Sequence, residues 1–423
     1  MVAKDSVLSR CRNKDGKFEV MPMVRLDTAE SLSVHYTPGI SYLCEEISKD
    51  PEKAYEYTSK SNTIAIVSDG TRILGLGKIG PTAGLPVMEG KSVLFKKFGG
   101  VNAVPICVNT TDEDKIVELV SNLAPSFGGI NIEDIESPKS FRIASRLEDA
   151  LDIPVFHDDR QGTGVVALAA LLNALKLVGK GKSAKIIVNG AGSAGFGIVS
   201  QLVHSGFHNI IALDKEGAIY KGRKDTSNIF KQQIGEMTNK ERKSGSLDDV
   251  VEGADVLIGA SMKGAFKPSH IKKMADKPIV FALANPDPEI SYDEAKEAGA
   301  YIVATGRSDY PNQVNNLLAF PGIMRGLLDS RAKKIDYEML YSAAVEIANG
   351  VGKDLSCDRI IPSPLEKGFL EHLVPRIAAA VARTAVESGQ ARVHISHERA
   401  MEKASALIGR YSKIEKMLDG ILY

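Results

Sequence analysis

The 423-residue sequence predicts an α/β protein built on parallel sheets. One observation is that short apolar segments alternate with longer helix-like ones from residue 63 to residue 303, which is typical of strand–helix–strand units. Another is a glycine-rich turn directly after an apolar segment, at 190–195. We therefore expect three parts: an N-terminal α/β domain in 1–162, a doubly wound domain with its following helices in 163–395, and a helical segment in 396–423.

The first block alternates apolar and helix-like segments. Residues 1–60 look mainly helical, and β-like segments at 63–67 and 73–76 flank the turn Ser68-Asp69-Gly70-Thr71. A glycine-rich loop is expected from Gly75 to Gly90, and Ser137-Pro138 predicts a helix start with Ser137 as N-cap. The remaining elements are expected at 103–108, 112–123, 129–132, 138–150, 154–156 and 163–178.

The second block repeats the alternation, which is the doubly wound pattern. After Pro321 the sequence looks helical to its end, apart from residues 354–364. The apolar run 165–178 is interrupted by Asn173 and Lys176, so we interpret it as a buried helix. The strand candidates of this block are 185–189, 209–213, 254–258, 278–283 and 301–303.

Composition excludes some classes of function. Lys+Arg and Asp+Glu both number 53, so the net charge gives no support for binding nucleic acid or a membrane surface. The 4 cysteines are widely spaced without a CxxC pair, which disfavours a zinc site or a disulfide framework. The N-terminus lacks the apolar core of a secretory signal, and we expect a cytoplasmic protein.

The glycine-rich turn indicates a dinucleotide site. A GxGxxG pattern between a strand and a helix lets backbone approach a pyrophosphate, whose charge the helix N-terminus stabilises. Asp214, 19 residues after Gly195, ends the next predicted strand, where an acid bonds ribose hydroxyls. The expected cofactor-binding residues are Gly190, Gly192, Ser193, Ala194, Gly195 and Asp214.

The sequence leaves NAD and NADP both open. Asp214 favours NAD because its charge repels a 2′-phosphate. Basic residues just beyond it could accept that phosphate instead, or could simply form a solvated loop: Lys215, Lys221, Arg223 and Lys224. We lean towards NAD.

Acidic pairs follow two predicted strands, Glu133-Asp134 after 129–132 and Asp158-Asp159 after 154–156. If the strands are parallel neighbours, four carboxylates meet at one edge of the sheet and repel one another unless a cation lies between them. Oxygen ligands suit Mg²⁺ or Mn²⁺. The alternative is that Asp159 caps a helix and the first pair faces solvent.

These motifs together resemble the malic enzymes of the short prokaryotic type, in order over nearly the whole chain. The matching segments are His35-Tyr36-Thr37-Pro38-Gly39, Asp69 to Gly77, Met88-Glu89-Gly90-Lys91, Asn131 to Asp134, His157-Asp158-Asp159, the Gly190 turn, Ala284-Asn285-Pro286, Tyr310 to Asn316, and Phe320-Pro321-Gly322. The departures are Arg160-Gln161 where the family pattern has Gln-His, Gly164 in place of Ala, and Lys78 in place of a small polar residue.

The resemblance implies the following roles. Glu133, Asp134 and Asp159 would bind the divalent metal, Lys91 would be the general base, Tyr36 the general acid, and Asp158 the carboxylate that tunes Lys91. Arg72, Asn285 and Asn316 would bind malate, and Thr163, Asn285 and Asn315 would contact the cofactor.

The activity implied is NAD(P)-dependent oxidation of L-malate to pyruvate and CO₂, with oxaloacetate decarboxylation as a side activity. The family also suggests a homodimer in which Tyr36 or the terminal helices are shared between subunits. Three alternatives stay open: a redox-neutral malate or oxaloacetate decarboxylase, an amino-acid dehydrogenase, and a nucleotide sensor without activity.

Overall fold

The computed structural model describes residues 4–12, 16–224, 228–364, 366, 368 and 372–422. Its first sheet has the strand order β2-β1-β3-β4, and all neighbouring strands are parallel. Each strand except β2 is buried along its whole length, as expected for a parallel sheet covered on both faces. The strands are β1 Thr63–Ser68, β2 Asn102–Cys107, β3 Gly129–Ile132 and β4 Val155–His157.

The second sheet has the order β10-β9-β8-β5-β6-β7, and only the short β7 runs antiparallel to its neighbour. Apart from that edge strand, this is the doubly wound order in which the first strand lies in the middle and ligands bind beyond the strand ends. The strands are β5 Ile186–Asn189, β6 Ile210–Asp214, β7 Gly217–Ala218, β8 Val256–Gly259, β9 Ile279–Ala282 and β10 Ile302–Thr305.

Helices cover both sheets and form the C-terminal region. Those among the described residues are α1 Lys4–Cys11, α2 Ala29–His35, α3 Ile40–Lys49, α4 Ala54–Tyr57, α5 Pro81–Gly99, α6 Glu113–Leu123, α7 Lys139–Ala150, α8 Thr163–Val178, α9 Ser193–His204, α10 Ile229–Met237, α11 Leu247–Val250, α12 Pro268–Lys272, α13 Tyr292–Glu297, α14 Phe320–Asp329, α15 Tyr337–Asn349, α16 Val374–Glu387 and α17 His397–Leu422.

Strand register brings the two acidic pairs together. In the β3–β4 ladder Ile132 pairs with His157, so the next residues, Glu133 and Asp158, leave the sheet side by side. The five residues Asp158–Gly162 form one π-helical turn that runs directly into α8. The first acidic pair and this turn thus lie at the same edge of the first sheet.

Helix α8 is the central core helix. The stretch Asp158–Val178 is apolar and long enough to cross a membrane, but 72% of its apolar 18-residue segment is buried inside the protein. This burial agrees with the expectation of a core helix. The same continuous helix leaves no linker at residue 162, so the division into 1–162, 163–395 and 396–423 stays a proposal.

Some expected elements are wrong. Residues 73–76 are not a strand: Leu74–Leu76 form a 3₁₀ turn that an Ile73–Gly77 bridge closes. The expected glycine loop ends at Gly80, because Pro81 supplies the preset φ of a first helical turn and α5 continues to Gly99. Ser137 makes no cap, and α7 begins after Pro138.

The C-terminal helices return to the first domain through α5. The rings of Phe95 and Phe320 lie 4.6 Å apart, and Lys97 pairs with Glu415 at 2.7 Å. The helix that carries Lys91 is therefore held between the first sheet and the C-terminal helices.

A buried ion pair fixes α14. The guanidinium of Arg325, which is fully buried, donates to both carboxylate oxygens of Asp329, at 2.8 and 2.9 Å. It also bonds the side chain of Asn62, and Lys403 reaches Asp329 at 2.9 Å. The pair thus joins α14 to the segment before β1 and to α17.

We expect Asp329→Ala to lower the free energy of unfolding by about 3 kcal/mol, because it leaves a buried guanidinium without its counter-charge. Chemical denaturation monitored by circular dichroism measures the change. The matched control is Lys403→Ala, which removes a side chain that is 45% exposed and should cost less than about 1 kcal/mol. Equal losses in the two variants would contradict the assignment of the stability to the buried pair.

Candidate active site

Lys91 lies between the two acidic pairs. Its Nζ is 2.5 Å from Oδ2 of Asp158 and 2.9 Å from Oε1 of Glu133, and it sits 4.2 Å from the centre of the Phe320 ring. All three polar side chains are nearly buried. A lysine from the middle of α5 therefore bridges the ends of two neighbouring strands, which the spacing along the sequence does not reveal.

Burial and charge act on these groups in opposite ways. Burial pulls the pKa of Lys91 down, but the charges of Asp158 and Glu133 outweigh it and raise that pKa above its ordinary value. Burial also raises the pKa of Glu133 well above its usual range, and burial with the charge of Asp159 raises that of Asp134 to about 7. The cluster holds more negative charge than one lysine can balance.

The unused carboxylate oxygens suit a cation. Asp134 Oδ2, Asp158 Oδ1 and Asp159 Oδ2 are buried and have no hydrogen-bond partner among the described residues. Hard oxygen donors of this kind match Mg²⁺ or Mn²⁺. Within those same residues, however, no three acidic, histidine or cysteine side chains are already arranged around one point. Glu133 is instead engaged by Lys91 and, at 2.8 Å, by the amide of Asn131.

Asn316, from the 3₁₀ turn Asn316–Leu318, meets Asp158 of the π turn and Thr163, the first residue of α8. The Asn316 amide donates to Asp158 Oδ2 at 3.3 Å and to Thr163 Oγ1 at 3.2 Å. Gly162 makes room for this arrangement, because a Cβ there would lie 2.1 Å from Asp158 Oδ1. Sequence reasoning missed Gly162, and its position one turn after an acidic pair was the available signal.

Arg72 reaches the acidic pairs from the turn that follows β1. Its backbone N–H donates to the carbonyl of Asp134 at 3.1 Å, and its side chain is exposed along a cavity of about 760 Å³. Its positive charge lowers the pKa values of Asp134 and Asp159, against the larger effect of burial. A guanidinium at this place can bind a carboxylate of a ligand in the cavity.

Arg160 does not point into the acidic cluster. Its guanidinium donates to Glu148 of α7 at 2.9 Å, and its backbone carbonyl lies against Gly197 of α9, where a Cβ would come within 1.9 Å. Gly164 likewise lets α8 approach α9, since a Cβ there would lie 2.6 Å from the Gly197 carbonyl. The side chain of Arg160 thus ties the π turn to α7, and Gly164 allows α8 to pack closely against α9.

The glycine-rich turn after β5 borders the cavity of about 760 Å³. Gly190 has φ +124°, and the helix α9 begins at Ser193. Ser193 and Gly195 are buried, whereas the chain at Gly192 is open to the cavity. Ala194 lies in the first turn of α9, so the predicted phosphate-binding segment has the expected strand–turn–helix context.

Two glycines of this turn are expected to have different roles, one in the approach of the ligand and one in the packing of the protein. We expect Gly192→Ala to leave the melting temperature unchanged but to raise the KM for dinucleotide about 10-fold or more, because its Cβ meets no protein atom and occupies the ligand's space. Gly195→Ala should instead destabilise the fold, because its Cβ would lie 1.8 Å from the Gly190 carbonyl. Thermal melts and initial rates on both variants test this, and unchanged dinucleotide kinetics in Gly192→Ala would refute it.

Asp214 ends β6 as expected, but two neighbouring cations neutralise the charge of its carboxylate. Arg223 donates to both of its oxygens, at 2.6 and 3.0 Å, and Lys231 reaches it at 2.5 Å. These bonds hold the pKa of Asp214 below its ordinary value although burial opposes them. Lys231, which lines the cavity, was missed from the sequence because it lies 17 residues further on, in α10.

Three other expected residues lie outside the cluster of Lys91, Asp158 and Glu133. Asn315 caps the 3₁₀ turn that holds Asn316, through a 2.9 Å bond to the Leu317 N–H, and Asn285 is exposed on the loop after β9. Tyr36 ends α2 with a side chain that is 65% exposed. Among the described residues, no hydrogen bond or ring contact joins Tyr36 to Lys91 within one chain.

Comparison with known proteins gives a consistent match. The family described as malic enzyme, N-terminal domain, matches residues 15–148, and malic enzyme, NAD binding domain, matches residues 160–386. A bifunctional malic/malolactic enzyme of Bacillus subtilis is 49% identical over 96% of this chain and 99% of its own length. An NAD-dependent malic enzyme of Geobacillus stearothermophilus is 50% identical over 89% of this chain and 78% of its own.

A solved structure shows the same architecture. The crystal structure of malic enzyme from Pyrococcus horikoshii superposes with a TM-score of 0.94 at 46% identity, covering 98% of each chain. The order of the two domains and the strand order are therefore shared over nearly the whole chain.

Proposed function

Because the chain belongs to the malic enzyme family, we propose that it oxidises L-malate to pyruvate and CO₂ with NAD or NADP as the hydride acceptor. The observation that carries this proposal is Lys91 held between Asp158 and Glu133 at the carboxyl edge of the first sheet. A base at that place can take the C2 hydroxyl proton while hydride leaves C2. Neither an amino-acid dehydrogenase nor a silent sensor needs that cluster.

Each residue of the cluster has a chemical task. The pKa of Lys91 would be lowered by a divalent cation held by the neighbouring carboxylates, and neutral Lys91 would then accept the hydroxyl proton of malate. Arg72 binds a malate carboxylate, and Asn316 orients Asp158 and the substrate. Glu133, Asp134 and Asp159 would hold Mg²⁺ or Mn²⁺, which supplies a Lewis acid that polarises the C2 oxygen. Oxaloacetate decarboxylation as a side activity uses the same site.

One assay tests the function. Purified protein with L-malate and NAD or NADP should form NAD(P)H, followed at 340 nm, and pyruvate in equal amount. Addition of EDTA should abolish turnover, and Mn²⁺ should restore it. Turnover that is unchanged in EDTA would remove the metal from the proposal, and no turnover with either cofactor would overturn the function.

The cation pair on Asp214 favours a cofactor site that accepts NADP as well as NAD. The lean towards NAD assumed that Asp214 repels a 2′-phosphate, but Arg223 and Lys231 together outweigh its charge. Lys231 is the cation of this group that lines the cavity. We infer that it donates to the 2′-phosphate when NADP binds.

We expect Lys231→Gln to lower kcat/KM for NADP about 10-fold or more. The variant loses the charged hydrogen bond to the 2′-phosphate, and one of the two cations that neutralise Asp214 is gone. The kcat/KM for NAD should change less than about 3-fold. The control is Lys221→Gln. The Lys221 side chain is 66% exposed, and its ion pair with Glu236 is long, at 3.9 Å. An equal fall with both cofactors would contradict the role of Lys231.

The N-terminal arm supports a homodimer. We define the arm as residues 16–50, among which no side chain is buried, although α2 and α3 carry apolar residues. Helices this short are not stable in water without packing partners, and many exposed apolar side chains on one segment indicate a protein contact. The exposed apolar side chains of the arm are Val20, Met21, Met23, Val24, Leu26, Leu32, Val34, Tyr36, Ile40 and Tyr42.

A second copy of the chain is the partner that this surface fits, because the active site lacks its general acid. Tyr36 lies on the arm, and we propose that it reaches the Lys91 site of the other subunit. The proposed compartment is the cytoplasm, where the substrate and both cofactors are available to a protein with free thiols.

A second candidate activity is the redox-neutral conversion of malate to lactate. The Bacillus subtilis relative is named as bifunctional malic/malolactic enzyme. In that reaction the hydride held on the cofactor returns to C2 of pyruvate with one proton, so the cofactor is regenerated. Lactate formed from malate with trace NAD, without net NADH at 340 nm, would support it.

A further inference from the structure

A buried carboxylate stands at the carboxyl edge of the second sheet, outside the cluster around Lys91. Glu289 has no exposed surface. Its Oε1 accepts hydrogen bonds from the N–H of Ser261 at 2.8 Å and from the Ser261 hydroxyl at 3.1 Å. Its Oε2 accepts from the N–H of Ala284 at 2.9 Å. Among the described residues Glu289 takes part in no ion pair, so its charge is satisfied by the N–H and O–H groups of these loops and by its own backbone N–H.

The two loops that Glu289 joins belong to the proposed substrate and cofactor sites. Ser261 follows β8 and lines the dinucleotide cavity. Ala284 follows β9 and directly precedes Asn285. The amide of Asn189, at the end of β5, donates to the Ser261 hydroxyl at 3.3 Å. One carboxylate therefore links the ends of β5, β8 and β9, which are adjacent in the sheet.

In this arrangement both carboxylate oxygens of Glu289 must act as hydrogen-bond acceptors. The groups that contact the carboxylate are all donors, which matches the ionised form. Burial raises the pKa of Glu289, and the N–H groups of Ala284 and Ser261 oppose that rise. A glutamine of the same size would place an NH₂ group against a backbone N–H in one of the two loops.

Gly259, the last residue of β8, leaves the space that the carboxylate fills. A Cβ at this position would lie 2.3 Å from Glu289 Cδ and 2.4 and 2.7 Å from its oxygens. The obstructed atoms are the end of a side chain rather than backbone, so an alanine would displace the carboxylate and leave the strand in place. Gly259→Ala is therefore a second, independent variant that should break the same contacts.

We propose that Glu289 is a positioning residue that fixes Asn285 and Ser261 relative to each other, so that malate and the nicotinamide cofactor are held at one spacing. The proposal rests on the role proposed above for Asn285. Glu289 itself touches neither the substrate nor the cofactor; it acts through the backbone N–H groups of the two loops.

The test compares Glu289→Gln, Gly259→Ala and the double variant. Each single variant should raise the KM for malate about 10- to 100-fold, the range expected for the loss of a hydrogen bond to a buried charge, with a smaller change in kcat. The dissociation constant of NADPH, measured by fluorescence without malate, should rise in parallel. The double variant should be no worse than the more affected single one, because both changes remove the same contacts.

The control is Gly306→Ala at the end of β10, where a Cβ lies 3.7 Å from its nearest neighbour, the Leu283 carbonyl, and should leave both constants unchanged. A structural role alone would lower kcat with the melting temperature and leave KM unaltered, and this result would overturn the proposal. Effects of the two single changes that multiply in the double variant would also overturn it. If wild-type protein bound NADPH but did not oxidise malate, the proposed function would fail, while the NADPH affinities would still decide whether Glu289 positions the Ser261 loop.

Discussion

Replacement of Lys91 by alanine should abolish malate oxidation while dinucleotide binding persists. Loss of a positioned general base costs about 10²- to 10⁴-fold in rate, and we expect a fall of about 10³-fold in kcat. Lys91 lies against Glu133 and Asp158, whereas the glycine turn expected to bind the cofactor belongs to the second sheet. Initial rates with saturating malate and NADPH titration by fluorescence measure the two effects separately.

The matched control for this variant lies on the same helix. Lys97→Ala removes a lysine that is partly exposed and pairs with Glu415, and it should leave kcat within about 2-fold of wild type. Small primary amines should restore part of the activity of Lys91→Ala, because they can occupy the space of the missing amine and accept the proton. Near-normal turnover of Lys91→Ala would show that another group is the base.

Mixing two inactive variants should restore activity if Tyr36 serves the partner's site. We expect Tyr36→Phe and Lys91→Ala each to be about 10²-fold or more below wild type as homodimers. In a mixed dimer with shared sites, one site carries both defects and the other carries neither. The mixed dimer should therefore regain up to about half of the wild-type activity per dimer, through that one intact site.

The same experiment has a clear opposite result. If Tyr36 acts in its own subunit, each site of the mixed dimer has one defect and activity stays at the level of the parents. The variants are unfolded together, refolded and separated by two affinity tags, and the tagged mixed dimer is assayed. A control mixture of Tyr36→Phe with Tyr36→Phe should show no gain. Size-exclusion chromatography with light scattering of the wild type gives the oligomeric state directly.

Patterns with a local physical cause were predictable from the sequence. The parallel strands of both sheets were located to within a few residues, because buried parallel strands are short apolar runs that alternate with helices, whereas the short antiparallel β7 was not expected. The acidic pairs were expected at one sheet edge, and the Ile132–His157 pairing places them there. The glycine turn after β5 was likewise predictable, since its chemistry depends on the order strand, turn, helix.

Features that depend on the docking of distant segments were not predictable. The glycine-rich stretch before Lys91 looked like a loop, yet from Pro81 it is a helix whose small residues allow close packing, as Gly84 does against Ile73. No role was assigned to Lys231 or Glu289 from the sequence. Their partners are 17 residues away for Lys231 and as many as 28 for Glu289.

Arg160 illustrates the same limit. In the sequence it directly follows Asp159, a metal-ligand candidate, and suggests a charge that opposes metal binding. In the structure it turns to Glu148, because the π turn points its side chain towards α7. Only the direction of the side chain, which local sequence does not encode, separates the two interpretations.

The sequence by itself determined the two parallel sheets, the dinucleotide turn and the meeting of the acidic pairs at one edge, because strand periodicity and helix starts are local properties of the chain. The tertiary structure decided that Lys91 lies between Glu133 and Asp158, that Asp214 is neutralised, and that Tyr36 is left on an exposed arm. These outcomes depend on how α5, α10 and the arm dock, and docking is set by packing between residues far apart in the chain.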